Sequence, residues 1–172
     1  MKKLISGIVA VAMALSLAAC EKETKVISLS GKTMGTTYHV KYLDEGSMKA
    51  TSEKTHEEIE AILKDVNAKM STYKKDSELS RFNQNTQVNT PIEISADFAK
   101  VLAEAIRLNK VTEGALDVTV GPVVNLWGFG PEKRPEKQPT PEQLAERQAW
   151  VGIDKIALDM SGTKPTLSKA LP

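Results

Sequence analysis

TTYHVKYLDEGS (residues 36–47), followed after a short gap by THEEIEAILKDVNAKM (residues 55–70), is the stretch whose reading decides the fold. Thr36, Tyr38, Val40 and Tyr42 alternate with Thr37, His39, Lys41 and Leu43, the two-residue period of a strand. Asp44-Glu45-Gly46-Ser47 supplies turn residues and ends it. The period then changes. Ile59, Ile62, Leu63, Val66 and Met70 recur at helical spacing and form one apolar stripe, and Thr55 with Glu58 has capping-box spacing at its start. Upstream, residues 26–29 (VISL) are a second short strand. The glycine-flanked Gly31-Lys32-Thr33-Met34-Gly35 predicts a bulge or a tight approach of the backbone to a neighbour. Downstream, Ser95 is a helix N-cap ahead of an inward row of Phe98, Val101, Leu102, Ala105 and Ile106, and that helix stops near Gly114. Residues 115–120 read as a strand or extended segment broken by Gly121-Pro122, with a short helical turn at residues 123–127. Residues 131–141 hold four prolines among charges and form a solvated loop. Thr140-Pro141 opens a helix to about Trp150, Gly152 closes it, and residues 153–159 make a strand that pairs with residues 166–168. Strands, helix, helix, strands predict an α+β fold with a mostly antiparallel sheet and packed helices. Residues 168–172 stop without a capped element, which reads either as a last strand that frays or as a fold left incomplete at the C-terminus.

The chain has 172 residues, 41% hydrophobic and 26% charged, a balance that supports a packed core. Its 23 basic against 22 acidic side chains give a net charge of +1, which leaves no electrostatic footprint for nucleic acid. The N-terminus stands apart. Met1-Lys2-Lys3 precedes an apolar run at residues 4–19 that is short for a bilayer span and built like a secretory signal. The run ends Leu17-Ala18-Ala19-Cys20, and Cys20 is the single cysteine, so disulfide and thiolate-metal chemistry are excluded. Small residues before a lone Cys resemble a bacterial lipobox. On that reading residues 1–19 are a signal peptide, Cys20 is lipidated and residues 20–25 tether the domain. Several acyl chains would hold it stably on a membrane.

The chain carries no GxGxxG, GxxxxGK[ST], HExxH or GxSxG motif. Its two histidines, His39 on a strand and His56 near a helix start, read as packed or surface residues. Three clusters stand out. Thr33-Met34-Gly35-Thr36-Thr37-Tyr38 offers a soft, polarisable side chain to a planar ligand. Ser71-Thr72-Tyr73 runs through Asp76-Ser77-Glu78-Leu79 to Arg81-Phe82-Asn83 and presents an aromatic, cations and amides on a loop. Gly114-Ala115-Leu116-Asp117-Val118-Thr119-Val120-Gly121-Pro122 continues into Asn125-Leu126-Trp127-Gly128-Phe129-Gly130. The residues alone leave a plainer reading open, with Met34 as core filler, Tyr73 as a helix-end cap and Asp117 as the partner of a nearby backbone amide.

Together and in this order, behind a lipobox, the three clusters resemble the ApbE family of FAD:protein FMN transferases. The resemblance covers residues 26–172 and implies an N-terminal part of such a domain. Members are periplasm-facing envelope lipoproteins, usually of the inner membrane, that cleave FAD, release AMP and attach FMN through a phosphoester to a threonine of an acceptor protein. A subunit of a respiratory redox complex is the typical acceptor. Carried over by position, the resemblance makes Met34 a flavin contact, Tyr73 part of the FAD site, and Ala115, Leu116 and Asp117 the lining of the adenine half. Asn125 and Trp127 belong to the signature and read as architecture. The resemblance also implies Mg²⁺ whose ligands lie beyond Pro172, so no metal ligand and no catalytic residue is assigned, and the fragment alone is expected to be inactive. A non-catalytic flavin-binding envelope lipoprotein and an FAD hydrolase giving FMN and AMP are the alternatives.

Overall fold

The computed structural model describes residues 24–46 and 50–171. The signal-like segment, Cys20, Ser47 of the expected turn and Pro172 lie outside them. Two compact units divide within one helix, the first ending at Glu60 and the second beginning at Ala61.

In the first unit, β1 (Lys25–Thr33) and β2 (Thr36–Asp44) pair antiparallel without interruption from Lys25↔Asp44 to Thr33↔Thr36. The strand expected at residues 26–29 is thus only part of β1, and the glycine-flanked segment is not a bulge. Met34 (φ 52°) and Gly35 (φ 76°) make a two-residue hairpin turn, because left-handed backbone at both positions matches the twist of the flanking strands. The tight approach is internal: Tyr38 stands opposite Gly31 in register, and a Cβ on Gly31 would fall 2.6 Å from its ring. Alternation holds as expected. Tyr38, Val40 and Tyr42 are half-buried with Ile27 and the buried Leu29, while Thr37, His39, Lys41 and Leu43 face solvent.

α1 (Ser52–Met70) begins one turn earlier than the Thr55–Glu58 spacing suggests. The Thr51 hydroxyl accepts the Lys54 N–H at 3.3 Å and caps the helix instead. Glu53, in the first turn, has its carboxyl pKa lowered by its own amide and by Thr51 and Ser52. Ile59, Leu63, Val66 and Met70 are half-buried along the expected stripe, but Ile62 is exposed.

The second unit holds α2 (Glu78–Gln84), β3 (Ile92–Glu93), α3 (Ala96–Val111), α4 (Gly121–Leu126), α5 (Pro141–Gln148), β4 (Ile156–Asp159) and β5 (Thr166–Lys169). The sheet order is β3-β5-β4, antiparallel throughout. Leu167 stands mid-sheet opposite both Ile92 and Leu158 and packs with Phe82, Ile94, Phe98, Ala99 and Leu102. Burying one such large apolar side chain contributes roughly 1.5–3 kcal/mol. Ser95 caps α3 by accepting the Phe98 N–H and Thr140 caps α5, both as the sequence predicts, and Gln143 completes a capping box with Thr140.

Several expectations change. Val101 is exposed because the buried stripe of α3 runs through Phe98, Ala99, Leu102 and Ala105 and leaves it at the edge. The helical turn expected at residues 123–127 begins instead at Gly121 as α4, since proline in the first turn forfeits no helical hydrogen bond. Residues 115–120 form turns, not a strand. Residues 153–155 are a 3₁₀ turn ahead of β4.

Candidate functional site

Met34 sits at the tip of the β1–β2 hairpin and is 54% exposed, so it is not core filler. Left-handed backbone costs a non-glycine residue roughly 1–2 kcal/mol. A methionine is held there where Asn, Asp or Gly would be relaxed, as is Glu113 at φ 53°.

Tyr73 belongs to the second unit and is built into place by serines. Buried Ser77 donates its hydroxyl to the Ser71 carbonyl at 2.5 Å and accepts the Ser80 N–H at 3.0 Å as the N-cap of α2. Ser80, also buried, donates to the same Ser71 carbonyl at 3.1 Å. The Ser71 hydroxyl accepts the amides of Tyr73 and Lys74, both at 3.2 Å. The Glu78 carboxylate accepts from the Ser95 amide at 2.5 Å and the Ser95 hydroxyl at 2.7 Å, which ties α2 to the start of α3. The loop so fixed leaves Tyr73 70% exposed, with its hydroxyl donating to the Phe129 carbonyl at 3.3 Å. Two of the three sequence clusters therefore meet here.

The stretch holding Ala115, Leu116 and Asp117 is pinned to the end of α3. Asn109 donates its side-chain amide to the Leu116 carbonyl at 2.8 Å, and the Leu116 N–H reaches the Thr112 hydroxyl at 3.1 Å. Asp117 Oδ1 accepts the Thr119 N–H at 2.8 Å and its hydroxyl at 2.6 Å. Thr119 Oγ1 in turn accepts the Gly152 N–H at 2.7 Å. This capture of a nearby amide is the plain role open to Asp117 from sequence, and it explains why three β-branched neighbours form a turn rather than a strand. Ala115 and Leu116 stay exposed.

Within the glycine-aromatic stretch, Gly130 and Asn125 pack closely. A Cβ on Gly130 would lie 1.7 Å from Asn125 Oδ1, and Asn125 Nδ2 donates to Glu132 at 2.7 Å. Beside α4 lies a cavity of about 490 Å³ lined by Phe82, Phe98, Leu102 and Leu167, with Lys133, Arg147, Lys155 and Lys169 set against a single acid, Glu132. Lys169 donates to the Asn83 carbonyl at 3.0 Å, lies 5.7 Å from the Phe82 ring centre, and has its ammonium pKa lowered by burial. Val118 and Thr119 line this cavity; Tyr73, Ala115, Leu116 and Asp117 do not. No sequence signal announces these cations, because each comes from a separate segment. Among the described residues no three His, Cys, Asp or Glu side chains gather to hold a metal ion.

Residues 34–171 match the model of the ApbE family. A FAD:protein FMN transferase of Haemophilus influenzae is 94% identical over 100% of this chain and 50% of its own length. One of Vibrio cholerae is 52% identical over 96% of this chain and 48% of its own. The chain thus spans about half the length of the curated relatives it matches. Among solved structures, the flavin transferase ApbE from Vibrio cholerae superposes with a TM-score of 0.79 at 53% identity, over 87% of this chain and 46% of that one. The apo Pseudomonas stutzeri flavinyl transferase ApbE gives 0.78 at 34% identity, over 86% and 48%.

Proposed function

The chain belongs to the ApbE family, and on that premise we propose that it is the N-terminal part of an FAD:protein FMN transferase. The hydroxyl oxygen of an acceptor threonine attacks the FMN-side phosphorus of the FAD pyrophosphate. A phosphoester bond forms, the bond to the AMP phosphate breaks, AMP leaves, and the hydroxyl proton passes to a base not assigned among these residues. Such a transfer depends on positioning and on neutralising phosphate charge. Met34 lays its thioether against the flavin, Tyr73 offers an exposed ring, and the backbone at Ala115-Leu116 with the Asp117 carboxylate faces the adenine half. Mg²⁺, when bound, would supply neutralisation of phosphate charge, and the residues expected to hold it lie outside those described. The observation that carries this reading is the family match, which runs through all of these positions.

We place Cys20 as a lipid anchor behind a signal peptide at residues 1–19, with the domain facing the periplasm from the inner membrane. The acceptor is a threonine-bearing subunit of a respiratory redox complex. Among the described residues no helix is long and apolar enough to cross a membrane. The test is to incubate the intact enzyme with FAD and Mg²⁺, with and without a threonine-bearing acceptor. AMP release that requires the acceptor, with FMN found covalently on the threonine, is expected. Equal AMP release without acceptor would make the protein a hydrolase, and FAD binding with no AMP would make it a binding protein.

A further inference from the structure

A two-stranded hairpin is marginal in water unless something packs against it, and among the described residues β1–β2 is a two-stranded sheet. One polar cluster in the first unit addresses this. The Tyr38 hydroxyl donates to Glu60 Oε1 at 2.5 Å. Its single proton is thereby committed, so the phenol oxygen is the acceptor for His56 Nε2–H at 2.9 Å. His56 Nε2 also lies 3.7 Å from Glu60 Oε1, one helical turn away. The Tyr38 and His56 rings meet edge to face at 6.3 Å. Gly31 makes the cluster possible, since a Cβ there would fall 2.3 Å from Glu60 Oε1 and 2.7 Å from the Tyr38 hydroxyl. The phenol pKa is pushed up to about 12, chiefly by the hydrogen bond to Glu60, so the proton stays in place across the physiological range.

The cluster lies near the turn. Only the pairs Lys32↔Thr37 and Thr33↔Thr36 separate Gly31↔Tyr38 from Met34-Gly35, a lever of roughly 7–10 Å at strand rise. We propose that Tyr38, Glu60 and His56 form a latch that clamps the hairpin to the first half of α1 and so holds Met34 in the posture that receives the flavin. These are positioning residues, and their link to flavin rests on the reading of Met34 given above.

The test uses the intact enzyme carrying Tyr38→Phe, Glu60→Ala and Glu60→Gln, with amide hydrogen exchange and FAD titration on each. Tyr38→Phe removes only the hydroxyl. It should speed exchange of the hairpin amides about tenfold, the size of one lost hydrogen bond, and leave the amides of Leu102 and Leu167 unchanged. It should also weaken FAD binding several-fold. Glu60→Ala should match it, the double variant should be no worse than either single one, and Glu60→Gln, which keeps an acceptor oxygen, should stay within about twofold of wild type. Unchanged hairpin exchange in Tyr38→Phe would overturn the latch. So would a Glu60→Gln variant as impaired as Glu60→Ala, or faster exchange with undiminished FAD affinity. Wild-type enzyme that fails to bind FAD would sink the transferase reading instead, and the exchange pattern alone would then decide the latch.

Discussion

Methionine is an odd choice at φ 52°, and the oddness can be measured. Asn tolerates left-handed backbone far better, so Met34→Asn should raise the stability of the hairpin by roughly 0.5–1 kcal/mol. If Met34 contacts flavin, the same change should weaken FAD binding about fivefold or more through the lost thioether packing. Urea unfolding and FAD titration read the two effects separately, and a variant that is more stable with unaltered affinity would remove Met34 from the site. Gly130 makes the opposite case. Its missing Cβ is the space that Asn125 fills, so Gly130→Ala should cost about 1–3 kcal/mol through forced displacement of that side chain. A thermal unfolding curve that does not move would show the Asn125 loop to be soft. Neither effect is legible in the sequence, where both residues are merely members of a motif.

Elements differ in how plainly they announce themselves. α3 is legible because its stripe is long and its Ser95 cap sits where capping chemistry requires. α2 is not, because seven residues carry too little periodicity. It exists because Ser77, Ser80 and Glu78 satisfy one another, Ser71 and Ser95. Ser77→Ala removes the cap and one of the donors to the half-buried Ser71 carbonyl, and should cost about 1–3 kcal/mol by urea unfolding. Loss below about 0.5 kcal/mol would mean that the remaining serine carries the loop. Between α1 and α3, Lys69 stands 2.5 Å from Asp65 and 2.6 Å from Asp97, and it holds the Asp97 carboxyl below its usual range. A depressed folded pKa means stability present above the unfolded value, near pH 4, and lost as pH falls through the folded one. Asp97→Asn should therefore flatten the fall in urea midpoint below about pH 4. The effect is small because the pair is exposed, and an acid limb identical to wild type would show that Lys69 and Asp97 do not hold each other in solution.

At the scale of the whole molecule, the α+β class and the antiparallel pairing follow from the order of periods in the chain. The two-residue strand β3 and the cavity do not. A two-residue ladder has no pattern of its own, and the four cations around the cavity come from stretches whose charges look like ordinary solvated surface. What gathers these pieces is the centre of β5. Leu167 is 1% exposed, lies opposite Ile92 and Leu158 in the ladder, and also lines the cavity. Its removal strikes the sheet, the helical core and the cavity wall together. Leu167→Ala should cost about 2–5 kcal/mol, the upper part of that range if the wall cannot collapse onto the space left behind. Because β1 and β2 pair only with each other among the described residues, the loss should appear first as faster amide exchange across β3, β4 and β5, while the hairpin register from Lys25 to Asp44 keeps its protection. Hairpin amides that exchange as fast as those of β5 in this variant would show that Leu167 supports the hairpin as well as its own sheet.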